Sequence, residues 1–443
     1  MTNKRVVILG GGTMYHVRPH LALVAPAYGA VVSDIKSLIE RELTGHQHVP
    51  ASYPGIYKDM LIDTYYSSMA SCGDGDFETN EDLAALTDRL VDDLNVKIIF
   101  FAAAVCDFRG HVDAVGLEGK YGTRLESRNL KSNDEATIKL SPDTKIIDRI
   151  RKQRKDIFLV AFKTTCGATE KEQYLAGLKL LKGASANLVL ANDTKTRLNM
   201  VITPEEAKYH VTTDRQDALR GLVEMAGLRS QLTFTRSTVV AGEPVPWNSD
   251  LVPQNLRDVV NYCIQKGAYK PFNGATVGHF AAKLSPTEFL TSRRKTNFND
   301  IETLGLVKVV TDKEDSVIAY GAKPSVGGQS QRIVFEEHPG MDCIVHFHCP
   351  IKPGSDVPVV SQREYECGSH QCGQNTSQGL KKYQSSTFTV GTDGETVYTF
   401  YAVYLDQHGP NIVFSKDTPS WVIIEFIFDH FDLSAKTGGP VSG

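Results

Sequence analysis

A chain of 443 residues with 41% hydrophobic content has enough apolar material for two or three separately cored domains, and its 48 Lys and Arg against 52 Asp and Glu leave a formal net charge of -4. That balance excludes nucleic acid or an acidic membrane surface as a partner recruited by bulk electrostatics, and no apolar run approaches the ~20 residues that span a bilayer. Eight cysteines, at 72, 106, 166, 263, 343, 349, 367 and 372, are scattered rather than framed, and the chain enters a strand pattern directly after Met1-Thr2-Asn3-Lys4-Arg5, so free thiols and a cytoplasmic location are expected.

Arg5 to Leu9 is a short β-branched run closed by Gly10-Gly11-Gly12-Thr13. Gly11, Gly12 and Thr13 are candidates for cradling phosphate with backbone N–H groups, although the turn lacks the Walker lysine and the spaced dinucleotide fingerprint. Val96 to Ala104, Ile157 to Phe162 and Asn187 to Leu190 are further near-continuous apolar runs, and Thr169 to Leu181 has a helical pattern. Strands apolar on both faces and alternating with helices predict a Rossmann-like parallel sheet with helices on both faces, whose ligands bind beyond the carboxyl ends of the strands. The basic run Arg149 to Lys155 reads as a solvated helix end.

From Leu232 to Asp250 periodicity is lost, and Val240-Ala241-Gly242-Glu243-Pro244-Val245-Pro246-Trp247 reads as a linker. Beyond it come a helix over Leu251 to Lys266, short strands including Thr387 to Val390 and Thr396 to Tyr404, and a closing helix over Ser420 to Phe431. These predict an α/β/α domain on a mainly antiparallel sheet. Within it, Val345-His346-Phe347-His348-Cys349-Pro350 puts two imidazoles on one face of an apolar strand, because residues i and i+2 point the same way. A third imidazole from the turn at His408 would complete a metal site and leave a fourth tetrahedral position open. Cys367 and Cys372 are spaced to hold a metal with Cys349, or are loop thiols without a ligand role.

Residues of about 5 to 225 resemble the phosphopantothenate–cysteine ligase family. The resemblance rests on Ala102-Ala103-Ala104-Val105-Cys106-Asp107-Phe108, on Arg124-Leu125-Glu126-Ser127, on Ala136 to Ile147, and on Leu178-Lys179-Leu180-Leu181-Lys182-Gly183 with Val189-Leu190-Ala191-Asn192-Asp193. It implies binding of ATP or CTP with magnesium and activation of a carboxylate for amide formation. Asp107, Asn192 and Asp193 would lie near the nucleotide, and Arg124, Lys179 and Lys182 would face its phosphates. The family's Asn-x-Ser-Ser-Gly loop is absent; the corresponding stretch is Met14-Tyr15-His16-Val17-Arg18-Pro19-His20.

Residues of about 252 to 432 resemble the class II aldolase family, which includes epimerases and non-catalytic adducin-like relatives. Gly278-His279-Phe280-Ala281-Ala282-Lys283, Leu290-Thr291-Ser292-Arg293, Lys323-Pro324-Ser325, His346, His348 and His408-Gly409 follow its motif order. The resemblance implies zinc, or manganese or iron, on His346, His348 and His408. It also implies substrate contacts from His279, Thr291, Ser292, Arg293, Lys323 and Ser325. The family's proton-transferring glutamate falls on Gly327, so Glu364, Glu366 and His370 are the candidates for a catalytic base, and Cys349 is a candidate soft ligand.

The resulting expectation is a nucleotide-binding ligase-like domain over 1–232, a linker over 233–250, an aldolase-like metal-binding domain over 251–433 and a flexible tail over 434–443. Together they make a homo-oligomeric bifunctional enzyme of small-molecule substrates, with no nucleic-acid or membrane partner. The alternative is a non-catalytic ligand-binding or interaction protein built from degenerate copies of both domains.

Overall fold

A computed structural model of the chain describes residues 4–44, 55–71, 74–112, 137–313, 315–388 and 395–437. The chain divides into two units, Met1–Ile202 with Tyr209–Ser230, and Thr203–Lys208 with Gln231–Gly443.

In the first unit the order is β1 (Lys4–Gly12), β2 (Met14–Arg18), β3 (Leu21–Val24), α1 (Ala30–Thr44), β4 (Met60–Tyr66), α2 (Asn80–Asp92), β5 (Val96–Ala104), β6 (Phe108–Val112) and β7 (Ile138–Pro142). It continues with α3 (Ile147–Gln153), β8 (Phe158–Thr165), α4 (Glu170–Ala184), β9 (Leu188–Asp193), β10 (Asn199–Ile202), β11 (Lys208–Thr212) and α5 (Arg215–Arg229). One sheet runs β11-β10-β9-β8-β5-β1-β4. The five strands β9, β8, β5, β1 and β4 pair in parallel and β10 turns back antiparallel on β9. Val6 to Leu9, Ile98 to Phe100 and Leu188 to Ala191 are buried almost completely, as strands covered on both faces require. The first parallel strand lies inside the order β4-β1-β5, so the direction of winding reverses between β1 and β5, the switch point where such sheets form their ligand crevice. Around it, β2 pairs with β3 and β6 with β7 as two small hairpins.

In the second unit the order is β12 (Arg236–Val240), α6 (Gln254–Gln265), β13 (His279–Ser285), β14 (Glu288–Thr291), α7 (Ile301–Leu304), β15 (Val307–Lys313), β16 (Ser316–Tyr320) and α8 (Gln329–Glu337). Then come β17 (Cys343–His346), β18 (Val359–Val360), α9 (His370–Gly379), β19 (Lys381–Phe388), β20 (Glu395–Leu405), β21 (Gly409–Phe414) and α10 (Ser420–His430). The sheet runs β12-β16-β15-β14-β13-β17-β21-β20-β18, with β19 also on β20. Its pairs are antiparallel except β12 with β16 and β18 with β20. One face packs Phe280, Leu290, Val345, Phe347 and Phe414 against Leu256 and Val260 of α6 and Ile423 and Ile427 of α10. The other packs Ala281, Phe289, Ile344 and Val413 against Val334 and Phe335 of α8. This mixed α/β architecture, with one parallel-dominated and one antiparallel-rich sheet, agrees with the sequence expectation.

The stretch read as a linker is structured. Arg236–Val240 forms edge strand β12 on β16, Val245 bridges Leu306, and Trp247 is 4% exposed in the core beside Phe280. Its turn formers, Gly242 and Pro244, punctuate a strand and a buried anchor rather than a solvated connection. Arg124 and Cys72 lie outside the described residues, as does the tail from residue 438.

Candidate metal centre and nucleotide crevice

Side chains along β17 alternate between the two faces of its sheet. Cys343 and Val345 join the core with α6 and α10, as does Phe347 just beyond the strand, whereas Ile344 joins the core with α8. His346 and His348 lie two and four residues after Ile344 and keep to the α8 face. Their ring centroids are 5.0 Å apart. His408 enters from the turn between β20 and β21, where its N–H donates to Leu405 O at 3.0 Å and Gln407 adopts φ 55°. Gly409, at φ 151°, lets β21 start hard against β17: a Cβ there would sit 2.1 Å from the Phe347 carbonyl oxygen, so no side chain fits.

The three imidazoles are 1%, 4% and 1% exposed, and one ring nitrogen from each lies within 4.8 Å of the others. His346 Nδ1–H donates to Pro410 O at 2.7 Å, which fixes the tautomer and leaves Nε2 with a lone pair, 3.2 Å from His408 Nε2. Two imidazole nitrogens bound tetrahedrally at ~2.0–2.1 Å are about 3.3 Å apart, so the pair already has the spacing of ligands around one ion. Burial holds His346 down to about 4, and metal ligation requires the neutral imidazole. The donor set fits a divalent ion with an open position.

A fourth imidazole adjoins the cluster. His279 pairs across the sheet with His346 at a ring distance of 4.9 Å, is 4% exposed, and is held well below the usual histidine range by burial and by His346. Among the described residues its Nδ1 has no hydrogen-bond partner.

The remaining expectations divide. Among the described residues Ser292 Oγ and Arg293 Nε are buried atoms without hydrogen-bond partners, and Arg293 bridges Pro324 beside Ser325. The Thr291 hydroxyl donates to Phe280 O at 3.3 Å and that of Ser325 to Gly278 O at 3.3 Å, while Lys323 is exposed. The base candidates do not assemble: among the described residues no carboxylate joins the histidine group. Glu364 is tied to Ser361 and Arg363, Glu366 O accepts from Ser369 N in the turn before α9, and His370 meets Thr235 Oγ1 at 3.1 Å. Cys349 faces the opposite core, where its thiol points to Ala268 O at 3.6 Å and burial pushes it up to about 12, so it is no ligand. Cys367 and Cys372 contact each other rather than Cys349. All seven described cysteines are free.

In the first unit the crevice at the carboxyl ends of β1 and β5 is organised by a polar network. Thr13 Oγ1 donates to Asn80 Oδ1 at 2.6 Å and accepts from Cys106 N at 2.8 Å. Asn80 Nδ2 donates to Cys106 O and to Asp143 Oδ2, both at 2.8 Å. Arg109 Nε meets Asp143 Oδ1 at 3.0 Å. Asn80, Asp143 and Arg109 were not among the sequence candidates; the capping box Thr79-x-x-Asp82, which opens α2 at Asn80, is the signal that places Asn80 at a helix start. The network fixes the loop bearing Asp107, which is exposed.

Three nucleotide expectations change here. Gly11 and Gly12 are not a turn into a helix: β1 runs through Gly12, paired with Ala103 and Ala104 on β5. Their missing side chains make room for the protein itself, since a Cβ would lie 2.1 Å from Ser67 Oγ at Gly11 and 1.9 Å from Ala25 O at Gly12. Lys179 and Lys182 occupy the C-terminal half of α4, which runs back from β8 towards the start of β9, so they stand at the amino ends of the strands, away from the crevice. Asp193 is 2% exposed and its carboxylate accepts from the backbone N–H groups of Thr196, Lys195, Gly167 and Ala168 and from Thr165 Oγ1. These bonds, with Thr196 first, hold it well below the usual carboxylate range and commit it to shaping the β8 and β9 loops. Asn192, half-buried and touched by Thr164 Oγ1 at 3.2 Å, remains beside the crevice with Asp107.

No protein-family model matches the chain. The N-terminal half matches the CoaB-type phosphopantothenate–cysteine ligase: it is similar to the coenzyme A biosynthesis bifunctional protein CoaBC of Thermococcus kodakarensis, 25% identical over 199 residues, which are 44% of this chain and 42% of that protein. The chain thus spans less than half the length of the curated relative it matches. Among solved structures, the DNA/pantothenate metabolism flavoprotein from Streptococcus pneumoniae aligns with 50% of this chain and 95% of its own, at 17% identity and a TM-score of 0.34. An L-fuculose 1-phosphate aldolase aligns with 41% of this chain and 85% of its own, at 16% identity and a TM-score of 0.28.

Proposed function

We propose that the chain is a bifunctional small-molecule enzyme, in which a nucleotide-dependent carboxylate–amine ligase unit is joined to a metal-dependent aldolase or epimerase unit. The observation that carries the reading is the trio His346, His348 and His408, three buried imidazoles with ligand atoms within 4.8 Å on one face of a sheet. A divalent ion held there would polarise a hydroxy-carbonyl compound and lower the cost of its enediolate charge. The chain's own part is to orient the ligands, as His346 does through Pro410, and to shield the centre from water by burial. Ser292 and Arg293 present unspent polar atoms for the anionic end of a substrate. For the first unit, support comes from the sequence similarity and from a switch-point crevice bordered by Asp107 and Asn192, where ATP or CTP with magnesium would bind. Free thiols support a cytoplasmic setting, and self-association follows the resemblance of both halves.

A second reading is a ligand-binding protein without turnover. It is favoured by Gly327 in place of the family's glutamate and by the fact that no carboxylate among the described residues joins the histidine group. The test pairs two assays on the metal-loaded protein: exchange of α-protons of short hydroxy-ketones with solvent deuterium, followed by NMR, and pyrophosphate release from ATP or CTP in the presence of a carboxylic acid and cysteine. Exchange that disappears in His348→Ala, together with pyrophosphate release, is the expected result. Ligand binding with neither activity would establish the second reading.

A further inference from the structure

Cys367 and Cys372 flank the start of α9, and no part of the proposed chemistry uses them. Gly368, at φ 88°, turns the chain between them, and Ser369 caps the helix, its Oγ accepting from Cys372 N at 3.0 Å. Cys372 thus stands at the third position of the helix and Cys367 two residues before the cap, and the turn brings the two thiols into hydrogen-bond contact. The surrounding chain pins that turn. Ser369 N donates to Glu366 O at 3.1 Å, His370 N to Thr233 O at 2.9 Å, and Cys367 N to the buried carboxylate of Glu205 at 2.5 Å.

The two sulfurs have different surroundings. Cys372 is 2% exposed, and its sulfur faces three donors: the Cys367 thiol, the Gly368 N–H, and Gln362 Nε2 at 3.6 Å. Gln362 is itself buried, and its Nε2 is fixed by a second bond to Tyr365 O at 2.8 Å. Donors gathered around a sulfur in the first turn of a helix favour its anion. The Cys372 thiol is accordingly held below the usual thiol range, by the Cys367 hydrogen bond first, against burial and the nearby Glu205 charge; Cys367, as donor of that bond, is held well above it. Cys367 is only half-buried, which gives the pair a side open to solvent. Among the described residues the histidine trio is the one group of three such ligands within 4.8 Å, so the thiol pair lacks a third metal ligand and its chemistry is that of two sulfurs in contact.

We propose that Cys367 and Cys372 form a peroxide-reactive dithiol that closes into a disulfide within the chain. The Cys372 thiolate attacks one oxygen of hydrogen peroxide, the O–O bond breaks, a sulfenic acid forms, and the departing hydroxide takes the Cys367 proton to become water. The Cys367 thiolate then attacks the Cys372 sulfur; the S–S bond forms, and a second hydroxide leaves and is protonated by solvent. The two sulfurs lose two electrons and the peroxide becomes two waters. Burial of Cys372 favours an oxidant as small as hydrogen peroxide over a peptide disulfide.

The test titrates the full-length reduced protein with hydrogen peroxide, alkylates the remaining thiols after denaturation, and maps each cysteine by peptide mass spectrometry. Cys166 is the internal control, since it is the exposed cysteine among those described and exposure alone would make it react first. The expected result is a cross-link between residues 367 and 372, lighter by two hydrogens and reversed by dithiothreitol, that forms ahead of any oxidation of Cys166. In Cys367→Ser the reaction is expected to stop at the sulfenic acid, so that dimedone labels Cys372, whereas in Cys372→Ser dimedone leaves Cys367 unlabelled. Pair thiols that stay open to alkylation after Cys166 is oxidised, or throughout the titration, would overturn the proposal. Dimedone on Cys367 in Cys372→Ser would overturn the assignment of roles. The map of the wild-type protein decides the central point even where a variant fails to fold.

Discussion

His346 is kept neutral by its burial, and this has a measurable cost. Its value in the folded protein, about 4, lies below the ordinary 6.5, so between these two pH values the unfolded chain binds a proton that the folded chain refuses. Stability is untouched above pH 6.5, falls as pH drops from 6.5 towards 4, and levels off below. The gap corresponds to something on the order of 3 kcal/mol. Metal-free wild type should therefore lose melting temperature over this window, and His346→Gln should lose markedly less; parallel profiles would show that the imidazole is not held neutral. At this scale the His-x-His pair was legible, because period-two alternation fixes which side chains share a face. The roles of Asp193 and Cys349 were not. A motif says that a carboxylate or thiol is present, but not that five donors from two loops have already claimed the carboxylate or that the thiol points into the opposite core.

Elements decide which candidates can meet. Lys179 and Lys182 sit far along α4, whereas Asn192 ends β9, so the alternation of strand and helix puts them at opposite ends of the sheet. Replacing both lysines with alanine should leave nucleotide affinity within about twofold, a change below ~0.5 kcal/mol; Asn192→Ala should weaken it, and the reverse order would contradict the crevice assignment. Gly409 has the opposite standing, since a methyl group there collides with Phe347 O and φ 151° is open to glycine. Gly409→Ala should cost about 3 kcal/mol or more in denaturant unfolding of the second unit and lower metal content, because the displaced backbone carries His348 and His408, two of the proposed ligands. The buried strands β1, β5, β8 and β9 could be read from their apolar runs, and α4 and α10 from their periodicity. β12 could not, because Arg236–Val240 alternates weakly at a sheet edge and is followed by Gly242 and Pro244, which carry the same signal as a linker. The hairpins β2–β3 and β6–β7 also escaped, being short and half-exposed with no two-residue turn signature.

At the scale of the whole molecule, two α/β units of different winding lie on one chain, and each gathers polar side chains at the place its topology dictates. The first has a crevice where the strand order reverses. The second has a histidine trio where the ends of β17 and β20 bring a strand and a turn together. Both departures from the families resembled, the missing Asn-x-Ser-Ser-Gly loop and Gly327, fall on chemistry rather than on the framework, which is why fold was more legible than substrate. No helix among the described residues is long and apolar enough to cross a membrane.

The account stands on the metal centre, and elemental analysis of purified wild-type protein beside a His346→Ala/His348→Ala variant tests it most directly. One equivalent of zinc, manganese or iron in wild type, absent from the variant, is the predicted result. Absence of metal from wild type even after reconstitution with each ion would contradict it, leaving three buried imidazoles as a packing feature of the second unit.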